Sequence, residues 1–101
     1  MAKVRYRVQW AASERGDLLE AVAFIRREQS AVARRIYLEI VRQTKLLKTH
    51  PLMGRMVPEF EIRYLRELIV PPFRIIYVVK RDQRIAEVAA IIHSSRMLPE
   101  A

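Results

Sequence analysis

No cysteine occurs in the sequence, so neither a disulfide framework nor thiolate chemistry can be built from it. Histidine occurs only twice, at His50 and His93, with no HxH, HxxxH or HExxH spacing, and neither a metal site nor a cofactor is expected. There is no glycine-rich phosphate loop and no G-x-S-x-G elbow. Ser94 and Ser95 follow His93 directly, but no placed carboxylate completes a triad, which argues against nucleophilic catalysis. The apolar runs are far too short to span a bilayer. The opening MAKVRYRVQW lacks the apolar stretch of a signal peptide, so a soluble cytoplasmic protein with no membrane partner is expected. Acidic residues are scarce: 11 Asp and Glu stand against 19 Lys and Arg, a formal charge of +8. That excess favours acidic partners without choosing among nucleic acid, an anionic membrane surface and an acidic protein segment.

What is present is enough for one domain: 101 residues, half of them hydrophobic, with no repeat and no low-complexity segment. Val4, Tyr6, Val8 and Trp10 alternate with Lys3, Arg5, Arg7 and Gln9, the pattern of a half-buried strand with a basic outer face. Ser13 can cap a helix whose apolar positions are Leu18, Ala21, Val22 and Ile25, with Glu14 and Asp17 suited to its first turn. Ser30 can cap a second, longer helix with a stripe of Ala33, Ile36, Tyr37, Ile40, Thr44 and Leu47, widened by Val41 and Leu46. The stretch HPLMGRMVPEFE, residues 50–61, reads as a loop in which Gly54 is expected to hold a backbone conformation closed to other residues.

The centre of the sequence is IRYLRELIVPPFRIIYVVK, residues 62–80. Two strand-like runs meet at Pro71–Pro72, and prolines, which cannot donate to a ladder, belong in the connection. A polar turn at Arg81–Arg84 leads to a last apolar strand from Ile85 to His93. The order is strand, helix, helix and three strands, and consecutive strands on short links pair antiparallel. The expected fold is therefore two-layer α+β, β-α-α-β-β-β, with a helical hairpin packed on a four-stranded, mainly antiparallel sheet. The first strand is expected at an open edge beside the last.

Arg66 and Arg74 stand inside otherwise well-formed strands, where a guanidinium is almost never buried unpaired: either each sits at a strand end and snorkels to water, or the two belong to a basic site built on a rigid sheet. Both flank the double proline, so a hairpin register is expected to bring them near each other. The end of the last strand at His93 approaches the start of the Phe73 strand, which places Arg96 near Arg74. Such a set could grip phosphates or carboxylates bidentately, or stabilise the charge of an RNA-cleavage transition state with His93 as acid or base. With equal weight, these arginines are structural pairs for Glu59, Glu61, Glu67 or Glu87.

The ordered set P-x-x-G-R-x-V-P-E, Y-x-R-E-L-I-V, F-R-I-I-Y and I-I-H-x-x-R, with DLLEAVAFI upstream, resembles the ParE branch of the RelE/ParE toxin superfamily over nearly the whole chain. The resemblance implies the toxin of a type II toxin–antitoxin module, of the kind often called plasmid stabilisation proteins. It implies a ParD-like antitoxin that forms a hetero-oligomer with it, and DNA gyrase as target, inhibited without catalysis. Arg66, Arg74, His93 and Arg96 are then the target-binding residues, and Leu18, Val22 and Ile40 contact the antitoxin. The alternative is a RelE-like, ribosome-dependent mRNA endonuclease with Arg74, His93 and Arg96 catalytic. Ile62, Tyr64 and Leu65 stand where such nucleases often carry lysines, and no tyrosine follows Arg96, which departs from that branch. A further alternative is a non-toxic, antitoxin-binding relic.

Overall fold

The computed structural model describes residues 4–11, 23, 26–27 and 30–93. In chain order the elements are β1 (Arg7–Trp10), α1 (Ser30–Leu46), β2 (Arg55–Met56), β3 (Leu65–Val70), β4 (Phe73–Lys80) and β5 (Ile85–His93). Ala23, Arg26 and Arg27 are helical as well; Leu18, Val22 and most of the segment expected to form the first helix lie outside the described residues.

Helix α1 exists because its apolar residues recur on one face. Ala33, Ile40 and Leu47, spaced by seven, are buried, with Leu47 just beyond the last turn and Ile36 packed alongside. Burying each Ile or Leu contributes about 1.5–3 kcal/mol. The buried Thr44 hydroxyl donates to the Ile40 carbonyl at 2.8 Å, so its polar group carries no desolvation cost. Tyr37 and Leu46, assigned from spacing to the buried stripe, are instead 40% and 39% exposed, because the face that meets the sheet is narrower than the apolar one. The helix ends as the chain tightens into turns at Leu47–Thr49, and Pro51 bars continuation.

The sheet has five strands in the order β1-β5-β4-β3-β2. The β3–β4 and β4–β5 pairs are antiparallel, whereas β1 lies parallel to β5, as its long crossover connection allows. One expectation is corrected here: the sheet is five-stranded rather than four-stranded, because the loop contributes the two-residue β2, too short to show any alternation. The first arm of the expected helical hairpin lies largely outside the described residues, which define α1 over the sheet.

Leu68, Val70, Phe73, Ile75, Tyr77 and Val79 face α1 and form the core with Ile91, Val88 and Ala86 of β5. A bulge between Ile76 and Tyr77 makes that possible: Ile75 pairs with Ile91, but Tyr77 pairs with Val88. The extra residue in β5 shifts its alternation by one, so apolar side chains on both sides of the bulge reach the same core. The Pro71–Pro72 bond, which is cis, makes the tight link between β3 and β4.

The same register separates Arg66 from Arg74. Arg66 lies opposite Tyr77 and Arg74 opposite Ile69, an odd offset, so the two arginines point to opposite faces. A turn symmetric about the prolines pairs Val70 with Phe73, and no hairpin closed this way can align positions 66 and 74.

Candidate functional site

On the face turned away from α1, charges alternate through the sheet. Arg74 is 5% exposed and Glu67 1%. The Arg74 guanidinium grips Glu59 bidentately, with Nη1 and Nη2 each 2.7 Å from a carboxylate oxygen. Its Nε donates to Glu67 Oε1 at 2.7 Å, and Arg55 Nε donates to the other Glu67 oxygen at 2.5 Å. Arg55 itself stays mostly in water. The row Arg55, Glu67, Arg74, Glu59 is neutral overall, which is what lets it be buried. The hydrogen bonds it donates to Glu59 hold the Arg74 guanidinium even above its ordinary range, against the opposing effect of burial.

The loop is fixed from the other side of the sheet too. Gly54 N–H donates to the Tyr77 hydroxyl at 3.0 Å, and Gly54 C=O accepts from Arg66 Nη1 at 3.0 Å. Arg66 Nε donates to the Arg63 carbonyl at 2.7 Å, so this arginine ties loop backbone to β3. Gly54 does not use a positive φ, contrary to the expectation. It is required because the loop runs against the sheet: a Cβ there would lie 2.5 Å from the Glu67 carbonyl oxygen and 2.8 Å from the Tyr77 hydroxyl. Three residues on, Val57 is fully buried. Burial raises the Tyr77 hydroxyl above its usual pKa, only partly offset by the Gly54 amide.

At the end of the sheet by the prolines, His93 pairs with Phe73 in register and stacks edge-on against it, ring centres 6.2 Å apart at 77°. His93 is exposed. Arg96, Leu18 and Val22 lie outside the described residues, and Ile40 is fully buried in the core. The structure therefore brings Arg74 together with Glu59 and Glu67, and sets His93 apart at the strand end. Among the described residues no cluster of His, Asp or Glu could hold a metal ion. No described helix is long and apolar enough to cross a membrane. The sequence signalled Arg74–Glu67 through charges in apolar strands. Gly54–Tyr77, 23 residues apart, carried no local signal.

Fold and site together define a small α+β domain in which one loop is locked by ion pairs to a mixed sheet. A family model described as "ParE toxin of type II toxin-antitoxin system, parDE" matches residues 8–98, and the chain belongs to that family. Among solved structures, the chromosomal ParDE TA system from P. aeruginosa is similar in fold. Its TM-score is 0.70 at 20% identity, covering 90% of this chain and 98% of that one. No sequence among the curated proteins matches.

Proposed function

We propose that the protein is the toxin of a type II module that inhibits DNA gyrase in the cytoplasm and is neutralised by a cognate ParD-like antitoxin in a hetero-oligomer. The observation that carries this reading is the family match over residues 8–98. A second observation favours it over messenger RNA cleavage: Arg74, the sheet arginine that would stabilise a phosphorane-like charge, is already bound by two carboxylates. A guanidinium saturated in this way has little left for a transition state.

The target-binding end is the strand terminus carrying His93, with Arg96 following in sequence. Arg74 and Arg66 contribute by holding the Gly54–Glu59 loop rather than by touching the target. Exposed Leu38 and Leu46, eight residues apart on one side of α1, give an amphipathic antitoxin apolar contacts, alongside Leu18 and Val22 of the helical hairpin expected from the sequence.

The test is supercoiling by purified gyrase at physiological salt, titrated with the protein and scored for cleaved plasmid. Inhibition with trapped cleavage product, reversed by the antitoxin, is expected. Unaffected gyrase together with cleavage of message on translating ribosomes would move the protein to the nuclease branch. Undiminished colony number on expression without antitoxin would mark it as a non-toxic relic.

A further inference from the structure

The opposite end of the sheet has played no part so far. There the chain enters β1 past Tyr6, enters β3 past Tyr64, and turns from β4 into β5 through Arg81–Arg84. These segments border a cleft of about 650 Å³ lined by Val4, Tyr6, Tyr64, Arg81, Asp82 and Arg84. Among the described residues Asp82 is its only acidic lining residue.

The strand order places β3, β4 and β5 side by side, so Arg63, Arg81 and Arg84 step across three adjacent strand ends, whereas Arg7, alternating with the core-packed Tyr6 and Val8, points to the opposite face. Arg63, Arg81 and Arg84 are exposed. At about 4.8 Å between strands the row spans roughly 10 Å. That length covers about three successive phosphates at 3.4 Å of rise each. A row of this kind fits a polyanion better than a lone phosphate.

The guanidiniums are also positioned. Arg63 and Arg81 each hold their Cζ 5.6 Å from the centre of the Tyr64 ring, and Arg81 Nη1 donates to the Tyr64 hydroxyl at 2.8 Å. That bond and the charge of Arg81 lower the Tyr64 pKa. Arg81 hydrogen-bonds the Tyr64 hydroxyl and Tyr6, and its fork carries five donors, so donors remain for a ligand. Arg84 adopts φ 54, a left-handed conformation that costs an arginine and would suit glycine. The turn thus carries strain to keep a cation at this corner.

We propose that this end of the sheet binds a nucleic-acid phosphate backbone through Arg63, Arg81 and Arg84, with Tyr64 as the platform that orients two of them. An acidic peptide that folds on binding would want apolar anchors, and the cleft offers chiefly charge and two tyrosines. The proposal goes beyond the assignment of gyrase and stands whether or not gyrase is the target.

The experiment is fluorescence anisotropy of a short labelled oligonucleotide, single- and double-stranded, with the full chain over a salt series. The double variant Arg81→Gln, Arg84→Gln is compared with Arg34→Gln, Arg35→Gln, an equal charge loss on exposed residues of α1. The first pair should lower the slope of log K against log salt by about two and weaken binding at least tenfold, the second far less. Equal losses in both pairs, or no binding by the parent protein, overturn the proposal. Arg84→Gly separates site from scaffold: it should leave the melting temperature unchanged or raised while affinity falls, and unchanged affinity counts against the site. Polyglutamate that competes as well as unlabelled oligonucleotide would reassign the surface to an acidic polypeptide and overturn it too.

Discussion

Removing the Arg74 side chain takes the shared cation from between the buried Glu59 and Glu67 carboxylates. Arg74→Ala is therefore expected to cost about 3–5 kcal/mol in urea denaturation, the penalty for breaking a buried pair. Arg55→Ala, at the solvated end of the same row, should cost clearly less. Equal losses would mean that the row is not organised by burial. Tyr77→Phe leaves the Gly54 amide buried without its acceptor, which costs about 1–3 kcal/mol. It also changes the alkaline limb. Tyr77 has a raised pKa in the folded state, so its contribution is complete below the ordinary tyrosine pKa of 10.0 and is lost as pH rises through the raised value. The parent should lose stability above pH 10 faster than Tyr77→Phe does, as followed by denaturant midpoints across that range. The charges at 67 and 74 could be read from the chain as an oddity in need of partners. Their partners could not, because the choice between Glu59, Glu61, Glu67 and Glu87 depends on which face each residue takes.

Between elements, Gly54 carries the tightest constraint. In Gly54→Ala the new methyl meets strand backbone at 2.5 Å, and backbone cannot swing aside as a side-chain tip does. The loop must lift from the sheet, at a cost of about 1–3 kcal/mol. Thermal unfolding checks this, and a neutral result would show that β2 is free to move. On α1, Glu39 is held at about 2 by hydrogen bonds from Arg42 first and Gln43 second. Its contribution is present above the ordinary value of 4.5 and disappears as pH falls toward 2. Arg42→Ala should return the Glu39 titration, followed by NMR, toward the ordinary carboxylate range. Long periodic stretches such as β4, β5 and α1 were legible because period and burial agree. The two-residue β2 and the one-residue slip in β5 were not, since each is set by contacts far away in sequence.

Across the molecule, the two candidate surfaces sit at opposite ends of β4, about 26 Å apart for eight residues of strand. Substitutions at the two ends should then act independently. His93→Ala is expected to weaken gyrase inhibition while leaving oligonucleotide affinity unchanged, measured on one preparation in both assays. A matching loss of affinity would join the ends into one site. The α+β class and an edge place for β1 beside β5 were legible from the order of the elements, whereas the fifth strand was not. The site was only half legible, for the chain announces its cations but not which of them are already taken.

The Glu59–Arg74 grip also bears on how this domain can be recombined. Loop and strand lie 15 residues apart, yet each supplies the counter-charge that makes the other fit to be buried. A chimera taking β4 from a homologue without residues 54–59 would import an unmatched charge. The loop, β3 and β4 must be grafted as one cassette, whereas α1, joined to them mainly by apolar contact, can be exchanged alone.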